Sequence, residues 1–151
     1  MTSMPIVSGR RNCYSAASWL GLGKLMHCDV RENPDQNFVE AVCSGSVDLT
    51  GMQMAIADLR RVDGYVDGMN ALWDFQEADL SQFSADDMKA LLSYMEETPK
   101  RKKVRVAILL SGKVDFMLLK LWRAVSSRRY GQTTELFSDR ESAVAWLCEA
   151  V

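Results

Sequence analysis

A chain of 151 residues is long enough for one domain whose core needs neither disulfides nor a metal to hold it. With 48% hydrophobic and 25% charged residues it has the composition of a globular protein, and a net charge of -2 gives no general attraction to a polyanion. No apolar run approaches the roughly 20 residues that span a bilayer. Cys13, Cys28, Cys43 and Cys148 lie far apart without CxxC spacing, which excludes a zinc knuckle and a small secreted disulfide scaffold.

The cysteine pattern points to a reducing cytoplasm, with Cys28 and Cys43 as small buried hydrophobes in strand-like segments. Residues 1–25 read as a poorly ordered N-terminal extension, and 26–151 as the folded domain. Arg10-Arg11 before an apolar patch resembles the start of a secretory signal, but serines and glycines interrupt the patch and no cleavage site follows. A gene start set too early is the other reading, since Met26 immediately precedes the first regular element.

Residues 25–31 and 38–45 are strand-like, and Asn33-Pro-Asp-Gln-Asn37 between them is turn chemistry, so an antiparallel hairpin is expected. Thr50 is the expected N-cap of a helix over 51–61 that places Met52, Ile56 and Leu59 on one side. Asp63-Gly64 and Asp67-Gly68 then break the chain before a third strand over 69–75.

Asp74 is expected to close that strand, at the carboxyl end where ligands of open α/β sheets sit. Glu77, Asp79, Asp86 and Asp87 follow it. Read together they are a divalent-metal or acid/base cluster; read apart they are loop solvation plus helix N-terminal acids, and no second cluster completes a coordination shell. The assignment is therefore a ligand-shaping Asp74 and no metal. Ser84 begins a helix with Asp87 at the third position of a capping box, and Met88, Leu91, Leu92 and Met95 form its apolar stripe up to Thr98-Pro99. A branched run over 104–110 is the fourth strand, so 69–110 forms a βαβ unit with parallel strands and a right-handed crossover.

The basic run Lys100-Arg-Lys-Lys103 lacks interleaved aromatics and a recognition helix, so nucleic acid is not assigned. Ser111-Gly112 matches no phosphate-binding loop. A helix is expected over 114–127, a short fifth strand over 133–137, and a last helix opened by a Ser138-Asp-Arg-Glu141 capping box with Val144, Leu147 and Val151 on one face. Trp146 is expected to be a core anchor. The single histidine, His27, lies in the first strand with no nucleophile spaced to use it, so no catalytic residue and no cofactor are assigned.

This element order, with Ala71-Leu-Trp-Asp-Phe75, Lys103-Val-Arg-Val-Ala-Ile-Leu109 and Glu135-Leu-Phe-Ser-Asp-Arg-Glu-Ser-Ala-Val-Ala-Trp-Leu147, resembles the SpoIIAA-like branch of the STAS superfamily over 26–151. The resemblance implies an α/β domain: a mixed, roughly five-stranded sheet (an N-terminal antiparallel hairpin, then βαβ units) flanked by about four helices. It also implies a non-enzymatic module. Anti-sigma-factor antagonists of the superfamily carry a phosphorylated serine in Asp-Ser-Ser-Gly at a helix start. Here Phe83-Ser84-Ala85-Asp86-Asp87 keeps one serine and lacks the glycine, and its two aspartates would repel an added phosphate. Phosphorylation of Ser84 is accordingly not expected. The resemblance implies instead a domain that takes apolar small ligands or meets membrane surfaces through mobile helices.

The helix over 114–129 is where the residues themselves agree with that implication. Lys120, Arg123 and Ser127 form a polar face, while Met117, Leu118, Leu121, Trp122 and Val125 cover the other side. Leu119 widens the apolar arc to roughly 200°, about twice the stripe a core-facing helix needs, and Phe116 falls on the basic face. Covering loops account for that surplus, or the helix is exposed at times over an apolar pocket. Residues 100–129 carry ten basic side chains against Asp115, a local +9 that leaves -11 for the rest. The expected site is therefore Asp74, Phe116, Met117, Leu119, Lys120, Trp122 and Arg123. The expected partner is an apolar or acidic small ligand or an anionic lipid surface, at the inner face of a membrane. A protein–protein regulatory module of the antagonist kind is the alternative.

Overall fold

The computed structural model describes residues 25–65, 68–97, 104–111, 120 and 132–149. Five strands form one mixed sheet in the order β1-β2-β3-β4-β5: His27–Asn33, Phe38–Ser46, Asn70–Asp79, Val104–Leu109 and Gln132–Phe137. β1 and β2 pair antiparallel, and the three remaining pairings are parallel. The hairpin expected around Asn33 is present. A 3-10 turn over Pro34–Gln36 leads to Asn37, whose φ of 54° closes the loop in the left-handed region that asparagine tolerates.

Three helices are described: α1 Leu49–Arg60, α2 Ala85–Glu96 and α3 Arg140–Leu147. Of the fourth expected helix, over 114–127, only Lys120 is described, and it is helical; the rest lies outside the described residues. Strand alternation sends successive side chains to opposite faces. Val39, Ala41, Ala71, Trp73, Val106 and Ile108 enter a large core with α1 and α2. Phe38, Leu72, Ala107 and Leu109 enter a smaller one against Ala143 and Leu147 of α3. Both faces of β3 and β4 are therefore covered, which is why these strands read as continuous apolar runs.

Two helix caps differ from expectation. Asp48, not Thr50, caps α1, its carboxylate accepting from the Gly51 N–H at 2.6 Å. Thr50 lies inside the first turn. Asp139, not Ser138, caps α3 by accepting from the Ser142 N–H at 2.8 Å. In both, a carboxylate meets the positive end of the helix as well as a free N–H. The Ser84–Asp87 box at α2 is present as expected, with both hydrogen bonds at 3.0 Å.

β3 is longer than its apolar stretch. It continues past Asp74 to Asp79, where Glu77, Ala78 and Asp79 pair with Ser44, Gly45 and Ser46. The register shifts between the Val42–Asp74 and Ser44–Glu77 pairs, so β3 carries one extra residue. The bulge flips the alternation. Trp73 and Phe75 face the large core, and after it Ala78 does. Gly45 has φ +80°, and a Cβ there would collide with the Leu25 carbonyl oxygen. That close approach lets Leu25 bridge to Ser46.

Candidate functional site

The large core is incompletely filled. Between the sheet and the two helices lies a cavity of about 60 Å³. Its sheet side comes from Trp73 and Phe75 of β3 with Val106 and Ile108 of β4. Residues 73 and 75 are two apart on one strand and so share a face, and their rings stack with centroids 5.9 Å apart and planes 14° apart. The helix side comes from Met52 and Ile56 of α1 and from Met88, Leu91 and Met95 of α1's neighbour α2. Leu80 and Phe83, between β3 and α2, close one end.

Three methionines in one lining matter mechanically. Unbranched thioether side chains change rotamer at low cost and fill irregular space. The space itself is small, enough for a few water-sized molecules. An apolar guest larger than that requires the methionines to move. The described lining carries no acid, base or thiol. Its polar contributions come from Tyr65 and from Gln132, the first residue of β5. Gln132 is 5% exposed and brings a carboxamide, both donor and acceptor, to an otherwise hydrocarbon wall. The chemistry of such a site is sequestration of apolar surface with one or two directional hydrogen bonds.

Asp74 stands elsewhere. It is mid-strand rather than at the strand's end, half-buried, and does not line the cavity that its neighbours Trp73 and Phe75 line. Its Oδ1 accepts from the Gln76 N–H at 3.0 Å, satisfying a backbone donor displaced by the bulge. Asp74 nevertheless marks the end of the three-strand centre, in the row Val42–Asp74–Leu109 where β4 stops. Ser84 is occupied as the α2 cap. Lys120 is exposed. Phe116, Met117, Leu119, Trp122 and Arg123, and the run 100–103, lie outside the described residues. Among the described residues no three His, Cys, Asp or Glu side chains gather as a metal site would require, and no helix is long and apolar enough to cross a membrane.

On the opposite face the polar groups are engaged structurally. Glu40, 3% exposed, receives both Arg140 guanidinium N–H groups at 2.7 and 2.8 Å and the Asn33 amide at 3.2 Å. Burial pushes the Glu40 carboxyl up. The hydrogen bonds from Arg140 and Asn33, with the positive charges of Arg140 and Arg31, outweigh it and hold the group below the ordinary carboxylate range. At the other end of α3, Asn70 donates to the Leu147 carbonyl at 3.0 Å, and Arg105 donates to that of Trp146 at 2.6 Å. The Arg105 guanidinium also lies 5.2 Å from the Trp146 ring centroid, and Phe137 packs on the same ring at 5.6 Å. Trp146 is thus a half-buried anchor of the smaller core.

No family model matches the chain, and no curated protein does. Among solved structures the chain is similar to an uncharacterized protein of the DUF3478 family from Shewanella loihica PV-4, described as having a SpoIIAA-like fold. The two are 24% identical over 82% of this chain and 94% of that one, with a TM-score of 0.48.

Proposed function

We propose that this domain is a non-enzymatic binding module that takes a slender apolar ligand into the cavity between the sheet and helices α1 and α2. The observation that carries the reading is a cavity walled by aromatics and methionines between the sheet and two helices, with a nearly buried carboxamide among its lining. An apolar chain would lie along the Trp73–Phe75 rings, and a polar atom on it would bond the Gln132 carboxamide. The charge of the sequence supports an extension of this reading. The ten basic residues within 100–129, together with the apolar Phe116, Met117, Leu119 and Trp122 beside Lys120 and Arg123, suit an acidic ligand head or an anionic lipid surface presenting the ligand.

The test is fluorescence titration with a medium-chain alcohol, followed by vesicle flotation. Trp73 lies in the lining, so entry of an alkyl chain is expected to change tryptophan emission saturably. Val106→Phe, which fills the cavity, is expected to abolish the change while the protein still melts cooperatively. Flotation with anionic vesicles is expected at low salt and to be lost at high salt, since each basic residue near such a surface contributes about 1 kcal/mol. Unsaturable emission changes that are equal in Val106→Phe would overturn the cavity reading. Flotation independent of salt or lipid charge would overturn its membrane extension.

A further inference from the structure

Across the β1–β2 hairpin, Cys28 stands directly opposite Cys43, and their Sγ atoms are 2.7 Å apart. Cys28 is 7% exposed and Cys43 fully buried, and neither lines the cavity. Directly opposed residues of an antiparallel pair have Cα atoms about 4.5 or 5.5 Å apart, depending on the pair type. Both values fall inside the roughly 4.4–6.8 Å that a disulfide spans. The two sulfurs therefore lie where a bond between them needs no movement of the hairpin. A pair serving only as core filler would not need its sulfurs in contact; an alanine opposite a valine fills such a row as well.

We propose that Cys28 and Cys43 are a reversible oxidation site, at which a peroxide converts the two thiols into a cross-strand disulfide that clamps β1 to the sheet. The Cys28 thiolate attacks one peroxide oxygen. The O–O bond breaks, and the departing oxygen takes up a proton and leaves as water when the oxidant is hydrogen peroxide. Cys28 is then a sulfenic acid. The Cys43 sulfur attacks the Cys28 sulfur, the S–S bond forms, the S–O bond breaks, and the hydroxyl leaves with the Cys43 proton as a second water. Two thiols have lost two electrons and two protons, and the peroxide has gained both.

The order of attack follows from placement. β1 is the edge strand of the described sheet, paired on one side, so opening at that edge uncovers Cys28 first. Cys43 lies on β2 between two strands. Burial pushes the Cys43 thiol well up, and its contact with Cys28 and the nearby Asp74 charge push it further, so it stays protonated and answers second.

The measurement is the intact mass of the full chain carrying Cys13→Ser and Cys148→Ser, treated with a small excess of hydrogen peroxide. Loss of two hydrogens, a linked Cys28–Cys43 peptide, a raised melting temperature and full reversal by dithiothreitol are expected. Recovery of both thiols in alkylatable form after denaturation would overturn the proposal, and so would oxygen addition without linkage. The same mass measurement on the unaltered chain guards against a folding defect in the serine background. Dimedone, a sulfenic-acid trap, is expected to label Cys28 in Cys43→Ser and to leave Cys43 unlabelled in Cys28→Ser. Equal labelling of the two variants would overturn the assigned order.

Discussion

The two faces of this sheet are filled by different means. Against α1 and α2 the sheet presents large side chains, Trp73, Phe75, Val106 and Ile108, and the packing leaves a methionine-lined cavity. Against α3 it presents Phe38, Leu72, Leu109 and the small Ala107, which meet Ala143 and Leu147 at or near zero exposure. α3 is also tied at both ends, to Glu40 through Arg140 and to Asn70 and Arg105 through its last carbonyls. Directional bonds fix one arrangement, whereas apolar contact through flexible side chains permits several. The face that holds a candidate ligand is the one lined by flexible methionines, which is where adaptation to a guest costs least.

The largest expected effect attacks the tied face. Arg140→Ala leaves Glu40 buried without its guanidinium. Removing one partner of a fully buried pair costs about 3–5 kcal/mol, and because the Arg140 side chain is 47% exposed the expected loss is about 2–3 kcal/mol by urea denaturation. The pH dependence carries the same signature. The Glu40 carboxyl is held below its ordinary range in the folded state, so its stabilisation is present above the unfolded value near about 4.3 and is lost as pH falls through the folded value. Arg140→Ala is therefore expected to flatten the fall in melting temperature between neutral and acid pH. An unchanged acid limb would mean that the tie contributes nothing and that the two faces differ only in side-chain size.

A second test adds bulk to adjacent residues of one strand. Ala107→Val inserts carbon between β4 and α3 where both alanines are fully buried, and overpacking of that kind costs about 1–3 kcal/mol. Val106→Ile adds one carbon on the cavity side, and filling such space is expected to stabilise by about 0.5–2 kcal/mol. Equal costs for the two would show that the cavity closes in solution, removing the asymmetry and the binding site with it.

Much of this architecture was legible in the residues. The branched run 104–110, the turn chemistry around Asn33 and the Ser84–Asp87 spacing each depend on local chemistry, and each is found as read. The misses have physical causes. Thr50 and Ser138 are good caps, but each has an aspartate nearby, Asp48 and Asp139, that offers a charge to the same helix end. Gln76-Glu77-Ala78-Asp79 is polar and reads as loop, yet it is strand because β2 has free backbone groups opposite it. That extension moved Asp74 from a strand terminus to a bulge. The cavity could not be read at all: Trp73 and Phe75 are visible as an alternating aromatic pair, but whether two helices fill the space above them depends on how those helices seat. The placement of Gln132 beside Val104 depends on a sheet order that no local pattern encodes. Of the expected site residues on the helix over 114–129 only Lys120 is described, and it is exposed; Phe116, Met117, Leu119, Trp122 and Arg123 lie outside the described residues.

A third test sits at the start of α2, on the adaptable face. α2 is fastened by its capping box and by apolar contact, with Phe83 in the cavity wall immediately before the cap. Ser84→Ala removes the acceptor for the Asp87 N–H, and loss of an N-cap costs about 1 kcal/mol. Ser84→Asp is expected to be nearly neutral, because aspartate caps as well as serine. A structural cap predicts this pair of results at every protein concentration and without any added factor. A phosphoswitch predicts something else: modification by a kinase that changes the binding partner, with an aspartate that mimics the modified state. The comparison of faces sharpens the test. If α2 is the movable wall, Ser84→Ala should also weaken saturable alcohol binding, since the cap sets where Phe83 stands, while the Arg140→Ala protein, still folded at low temperature, binds as before. If Arg140→Ala weakened binding as much as Ser84→Ala did, the two faces would be one cooperative body, and the division of labour between them would fail.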